Sequence, residues 1–442
     1  MHHMITAERG QILLMPPSVD EWLPKKHLAR FVAEIVDELD LTALSNQYRG
    51  SGKQAFSPGL LVSLLFYGYA TGTFSSRKIE AATHDSVAFR YLAGNTHPDH
   101  DTIAAFRRRF IKQLKPLFAQ ILLIAREMGL AKVGTVAIDG TKVHANASKH
   151  KAMSWKYACR LEKQLKREVE QLLRKAEQAD AAETDDQLDI PAEIERREKR
   201  LQRIAEAKEA IRQRAQQRHE EALRLLAERK KRRMEKQNGN DKPPAAPAEP
   251  RDGDQHNFTD ADSRIMKTHG GFEQCYNAQA AVDAEDMLIV GTSLSNCGAD
   301  ATTMTATLDS VHTNTSETPG SVLADAGYMS EANVLQCEER NIEAYIATGR
   351  EKHNQRMKPG ARKRPPPEWS PPRKMMWDRL RSDLGEQMYR YRKMTVEPAF
   401  GIIKNVMGFT RFMLRGLDNV TGEWDLVALS YDIRRIWSLK HA

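Results

Sequence analysis

Three acidic residues stand where this chain could do chemistry. Asp139 follows the apolar, β-prone run Val133-Gly-Thr-Val-Ala-Ile138, and Asp325 follows Ser321-Val-Leu-Ala324. Glu397 falls in the first turn of a helix expected over residues 395–406. Taken singly, each has a plain reading: an Asp after a strand is a turn or cap residue, and a Glu in a first helical turn answers the macrodipole. Together they allow another. Strand ends and facing helix starts are where open sheets build sites, and three carboxylates at one edge repel one another unless cations relieve them. Hard oxygen ligands in an incomplete cage favour Mg²⁺ that keeps waters and accepts phosphate oxygens. Two such ions, about 3.5–4 Å apart, clamp the attacking and leaving oxygens of an in-line phosphoryl displacement.

The elements that must position these acids can be read from periodicity. Residues 19–133 are helical: Leu28, Phe31, Val32, Ile35, Val36 and Leu39 recur at helical spacing. Ser57-Pro58 opens a helix that is apolar nearly all round and therefore buried, and Gly72 ends it. A further helix, capped by Asp101 or Thr102, places Ile103, Phe106 and Phe110 inward and Arg107, Arg108 and Arg109 around the outside. This pattern fits a helix-turn-helix DNA reader and equally a plain bundle with a solvated basic face. Strands are expected at 133–138 and 142–147, with Asp139-Gly140 as the turn between them. Two charged helices follow, at 155–178 and 192–236, each with one apolar stripe, the pattern of an antiparallel coiled-coil hairpin. Pro243, Pro244, Pro247 and Pro250 mark a disordered linker over 238–255. A hairpin at 276–294, helices at 301–311 and 331–340, strands at 321–324 and 342–347, and an amphipathic helix at 422–439 complete an α/β layer with a mixed sheet.

The stretches Ala137-Ile-Asp-Gly-Thr-Lys-Val143, Leu323-Ala-Asp-Ala-Gly-Tyr328 and Thr395-Val-Glu-Pro-Ala-Phe-Gly-Ile-Ile-Lys404 resemble the three catalytic signatures of the DDE transposases of bacterial insertion sequences. Phe56-Ser-Pro58 and Asp101-Thr-Ile-Ala-Ala-Phe-Arg107 resemble the DNA-binding region that precedes the core in one branch of that family. The resemblance implies a multidomain chain. An all-α N-terminal DNA-binding domain (1–132) precedes an α/β ribonuclease-H-like core with a mixed sheet (133–150 and 256–442). The core is interrupted by a coiled-coil insertion (151–237) and the linker, and carries a basic, proline-rich insertion at 350–378. It implies Asp139, Asp325 and Glu397 as catalytic ligands of two Mg²⁺ or Mn²⁺ ions, terminal inverted repeats and target DNA as double-stranded partners, and a homodimer or larger assembly on DNA. It further implies cleavage at element ends followed by strand transfer. The family's Tyr and Arg before the Glu fall here on Arg390 and Lys393, with Tyr389, Tyr391 and Arg392 one residue away. Lys404, seven residues after Glu397, is expected on the same helical face as a phosphate contact.

Charge and composition agree with that class. The chain of 442 residues carries a net charge of +8, but residues 256–342 hold 3 basic against 13 acidic residues while residues 343–442 hold 20 against 11. A chain that grips a polyanion with its flanks and holds metal in its middle has this distribution, and so has an uneven solvated surface. No run reaches the roughly 20 apolar residues of a membrane helix, and the N-terminus lacks the features of a secretory signal. Cys159, Cys275, Cys297 and Cys337 are scattered, which fits a reducing cytoplasm, with nucleoid association when DNA is bound. Four smaller readings stay open. His97-Pro-Asp-His100 is a turn rather than a metal pair. His144 meets DNA or finishes a strand. Asn277 and Gln279 meet a backbone or are satisfied strand polar groups. Arg362-Lys-Arg364 and Arg373-Lys374 form a phosphate-contacting or merely solvated loop.

Overall fold

A computed structural model describes residues 18–48, 55–182, 190–234, 249–349 and 365–441. The expected segments Arg362-Lys-Arg364 and 238–248 lie outside the described residues. In chain order the first helices are α1 (Val19–Trp22), α2 (Leu28–Glu38), α3 (Thr42–Ser45), α4 (Pro58–Ala70), α5 (Ser76–Asp85), α6 (Val87–Leu92), α7 (His100–Phe110) and α8 (Lys115–Glu127). Then come β1 (Thr135–His144), β2 (Ala152–Ser154), α9 (Trp155–Ala182), α10 (Ile190–Met234), β3 (Gln255–Asn257), β4 (Arg264–Thr268), β5 (Gly271–Asp283) and β6 (Ile289–Ser295). The remainder is α11 (Met304–Thr315), β7 (Ser321–Ala324), α12 (Glu331–Glu339), β8 (Glu343–Ile346), α13 (Pro371–Leu380), α14 (Asp383–Gly401) and α15 (Leu417–His441).

The chain divides into two compact units, one of residues 1–143 and 277–442, the other of residues 144–276. In the first, the strand order is β5-β1-β7-β8 with β6 on β5. β1, β7 and β8 run parallel, β5 and β6 antiparallel, so the sheet is mixed. α15 is buried along most of its length, from Val420 to Ile433, because β6 packs on it together with α4 and α8. An amphipathic helix was the expectation there; cover on several sides explains why its polar residues Glu423, Asp425 and Asp432 are enclosed as well. Ser57 caps α4, and Gly72 follows it at φ +84°, where a Cβ would stand 2.8 Å from the Met407 carbonyl.

In the second unit α9 and α10 pack side by side around Ala158, Leu161, Leu165 and Ile204, with Arg197 paired to Glu168 at 2.9 Å and Lys208 to Glu162 at 2.5 Å. Lys208, on the apolar stripe, also lies over the Trp155 ring. Two small pairings escaped the sequence, β2 with β3 and β4 with β5. β2 and β3 are three residues long, too short for alternation to register.

Three expected boundaries are corrected. β1 is one strand running straight through Asp139-Gly140, not two strands around a turn. Gly140 is needed there because a Cβ would lie 2.3 Å from the Gln279 side-chain nitrogen. Asp99, not Asp101 or Thr102, caps α7: its carboxylate accepts from the Thr102 N–H at 2.7 Å. Arg373-Lys374 sit on α13 rather than in a loop, a helix opened by Pro371-Pro372 at its first positions.

Candidate active site

Register brings two of the three acids together. Ile138 pairs with Ala324 in the parallel β1–β7 ladder, so Asp139 and Asp325 are the next residues on adjacent strands. Asp325 leaves its strand at once and caps a short 3₁₀ turn, Ala326–Tyr328, its carboxylate accepting from the Gly327 N–H at 2.7 Å. Asp139 accepts from the Gly140 N–H at 2.8 Å.

The third acid comes from α14, and its setting differs from expectation. The helix starts at Asp383, capped by Ser382, so Glu397 is its fifteenth residue and not in its first turn. The Glu-Pro pair looks like a helix start, yet Pro398 is carried inside the helix, where it leaves the Met394 carbonyl without its i+4 donor. The macrodipole therefore gives no account of Glu397. After Gly401 the chain widens into a π-helical segment, Ile402–Val406, which holds Lys404. That breaks the 3.6-residue count on which the same-face placement of Glu397 and Lys404 rested.

Arg392 ties the helix to the sheet. One guanidinium nitrogen is 3.5 Å from Asp139 Oδ2 and another 3.5 Å from Glu397 Oε1. Its Nε is buried with no hydrogen-bond partner, and Tyr389 lies beside it, 5.7 Å from ring centre to guanidinium carbon. The Asp139 side chain is only 23% exposed. Burial is the main cause that pushes its carboxyl up to about 6; Asp325 and Asp300 add to the rise, while the Gly140 N–H and Arg392 oppose it. Asp139 thus feels Asp325 directly and is linked to Glu397 through Arg392. Among the described residues, though, no three His, Cys, Asp or Glu side chains stand close enough together to form a cation cage. The donors nonetheless suit a hard divalent ion: all are carboxylate oxygens, and the glycine turn at 327 leaves room where a Cβ would meet Asp325 Oδ1 at 2.9 Å and Asp300 Oδ2 at 3.3 Å.

Asp300, which the sequence reading did not single out, lies near enough to act on the Asp139 carboxyl. It opens a 3₁₀ turn before α11, where Asp reads only as a cap. Its Oδ1 accepts from Asn277 Nδ2 at 2.7 Å, Gln279 Nε2 at 3.2 Å and Lys142 Nζ at 3.2 Å. Gln279 also donates to Asn277 at 2.9 Å and accepts from the Tyr328 hydroxyl. Asn277 and Gln279 are fully buried and mutually satisfied, which settles their two open readings in favour of strand polar groups. Lys142 and Tyr328 were already inside the quoted signatures; β1 and the 3₁₀ turn turn them to this network.

The basic candidates separate by burial. Arg107 is 6% exposed and does not face outward. It donates to the Tyr69 hydroxyl at 3.1 Å and the Phe74 carbonyl at 2.7 Å, and Tyr69 donates to Glu423 at 2.7 Å. The three-residue arginine run wraps past the edge of a helix whose apolar face is Ile103, Phe106 and Phe110, so its first member joins the core. Arg108 and Arg109 are exposed, and Arg109 donates to the Gln47 carbonyl at 3.0 Å and lies over the Tyr48 ring. Arg390 and Lys393 are exposed on α14, Arg390 3.9 Å from Glu386. Arg392, expected at DNA, is instead enclosed against the two acids. His97 stacks on His84 and His100 bonds Glu80 at 2.7 Å; the expected turn is instead an irregular connection whose His100 already begins α7. His144 ends β1.

Comparison with known proteins gives two family matches. Residues 17–109 match a transposase domain (DUF772), and residues 253–433 match the transposase DDE domain. Asp325 and Glu397 fall inside the second match, while Asp139 precedes it. No curated protein and no solved structure matches the chain. With both transposase modules present in order, a helical region ahead of a mixed sheet, the chain belongs to the DDE transposases of insertion sequences.

Proposed function

We propose that this transposase binds the terminal inverted repeats of its element as double-stranded DNA, cleaves at their ends and joins the freed 3′ end to target DNA. Asp139, Asp325 and Glu397 serve as the catalytic carboxylates of a ribonuclease-H-like core. The observation that supports this reading is the strand register that sets Asp139 beside Asp325, with Arg392 reaching from Asp139 to Glu397. These oxygens would hold two Mg²⁺ or Mn²⁺ ions, which when bound supply activation of the attacking oxygen and neutralisation of the leaving one. The chain's own part is to place a phosphodiester in line and to meet the charge on it.

For that task Lys393 and Arg390 on α14, with Lys404 beyond it, supply cations beside the acids, and Arg108 and Arg109 supply them on the helical region. The paired helices α9 and α10 act as a coiled-coil arm that contacts DNA or a second copy of the chain. The boundaries at 132, 150, 237 and 255 mark the expected functional segments.

The test is a duplex carrying the element end, incubated with the protein and Mg²⁺, then with chelator. Nicking at the end plus joined product, both lost with chelator, supports the proposal. Binding without nicking identifies a DNA-binding descendant that has lost catalysis. Nicking without joining identifies a metal-dependent nuclease.

A further inference from the structure

We infer that the helical region positions Lys404: Phe74 holds the ring of Phe409, and Phe409 closes the widened turn on which Lys404 stands; this rests on the proposed role of Lys404 at a phosphate. The turn, Ile402–Val406, ends in two wide backbone bonds. The Met407 N–H donates to the Ile402 carbonyl at 2.9 Å, and the Phe409 N–H to the Ile403 carbonyl at 2.9 Å. Gly408, at φ +73°, takes the left-handed place between the two donors. In the usual glycine-ended helix the closing bond spans one residue fewer than this one, which runs from Phe409 back to Ile403. An extra residue is therefore wound into the turn, and residue count alone does not fix Lys404 relative to Glu397. Whatever holds the closing bond decides where Lys404 stands.

What holds it comes from the other transposase module. Phe409 is fully buried, its ring centre 5.1 Å from Phe74, edge to face, 6.3 Å from Tyr69 and 5.4 Å from Phe412. Tyr69 and Phe74 lie within residues 17–109, at the end of α4 and in the loop after it. Gly72, between them, lets that loop reach the Met407 carbonyl, the one next to Gly408. Arg107 of α7 fixes both aromatic residues, donating to the Phe74 carbonyl at 2.7 Å and the Tyr69 hydroxyl at 3.1 Å. Glu423, which accepts from Tyr69, also accepts from the Met413 and Leu414 N–H groups at 3.0 and 2.9 Å. One buried network thus holds the chain from Met407 to Leu414 at both ends. Core packing needs the apolar rings; it needs neither the backbone approach at Gly72 nor a turn one residue too wide. Phe74 and Phe409 are positioning residues, and α7, which offers Arg108 and Arg109 to DNA, helps to set a cation of the core.

Phe74→Leu removes the ring facing Phe409 and changes no residue of the core; Phe74→Tyr keeps the ring. Two measurements on the full chain test the inference. In hydrogen exchange, Phe74→Leu should speed exchange over residues 402–409 by about tenfold or more and leave the β1–β7 ladder unchanged, while Phe74→Tyr matches wild type. In single-turnover nicking of the end-bearing duplex with Mg²⁺, Phe74→Leu should lose about tenfold or more in rate and bind the duplex within about twofold of wild type, as small misplacements far from the chemistry do. In a Lys404→Ala background the same substitution should cost nothing further, which loss of packing alone would not give. Unchanged exchange over 402–409, a rise spread evenly over the chain, or losses that multiply in the double variant overturns the inference. Wild-type protein that binds the duplex without nicking it removes the proposed catalysis instead, and exchange then decides by itself whether the helical region holds the turn.

Discussion

Arg392 and Asp139 form a partly buried ion pair at 3.5 Å, and the same guanidinium reaches Glu397 at 3.5 Å. The distances exceed the 2.7–2.9 Å of a tight charge-assisted bond. The guanidinium thus counters charge between two acids without locking either in place.

Arg392→Gln leaves Asp139 enclosed with Asp325 and Asp300 and without its cation. At pH 7 we expect a loss of roughly 1–2 kcal/mol in urea unfolding, below the range for fully buried pairs because Asp139 keeps some solvent contact. The Asp139 carboxyl, already pushed up to about 6, is mostly protonated at pH 5. The loss should therefore shrink as pH falls from 7 to 5. An equal loss at both pH values would assign Arg392 to packing and not to charge.

Arg107 and Arg108, neighbours in sequence, should behave as opposites. Arg107→Ala strips the cation from the buried Tyr69–Glu423 network, for which breaking costs on the order of 3–5 kcal/mol are typical. Arg108→Ala should leave the melting midpoint within a degree or two and weaken DNA binding, with a smaller dependence on salt. A fluorescence melt and an anisotropy titration across salt concentrations distinguish them.

Asp425 gives a pH signature of its own. Its carboxyl is buried in α15, accepts from the Thr292 hydroxyl and is pushed up to about 6, chiefly by burial. Below about pH 3 it is neutral folded and unfolded and has no effect. As pH rises from about 3 to 6 the unfolded chain gives up its proton first, so folding stability falls, by up to about 3 kcal/mol for this shift. Asp425→Asn should remove that fall, gaining stability over wild type at about pH 7 and not at about pH 3. A variant-minus-wild-type difference that is flat with pH contradicts the assignment.

Gly140 and Gln279 compete for one space. Gly140→Ala puts a methyl where the Gln279 amide lies and should cost about 1–3 kcal/mol, as overpacking does. Gln279→Ala has its own cost from the partners it abandons, Asn277, Asp300 and Tyr328. The double variant should lose clearly less than the sum of the two single losses. Additive losses by calorimetry would show that the close approach is not what fixes glycine at 140.

These predictions rest on positions of unequal visibility in the sequence. The strand-plus-acid pattern at Asp139 and Asp325 was legible because apolar β runs end there, and α4 and α7 because their caps and apolar faces are local. Glu397 was placed on the wrong turn of its helix, because Glu-Pro looks like a start and the true cap, Ser382, is fifteen residues upstream. Gly140 looked like a turn because Asp-Gly favours one; only Gln279, supplied by another strand, explains it. Asp300 had no local signal, since what singles it out is donors from β1 and β5. Arg107 was misplaced for the same reason: the carboxylate that draws it inward, Glu423, lies more than 300 residues away.

The central claim is that Asp139, Asp325 and Glu397 serve a single chemical step. Single-turnover nicking of an end-bearing duplex with Mg²⁺ tests it most directly, using Asp139→Asn, Asp325→Asn, Glu397→Gln and their pairwise combinations. Groups that act as a unit are strongly non-additive. Each single variant should lose about a thousandfold or more while still binding the duplex, and the doubles should be little worse. Nicking that survives in one variant, or losses that multiply in the doubles, would show that the three acids do not share a site.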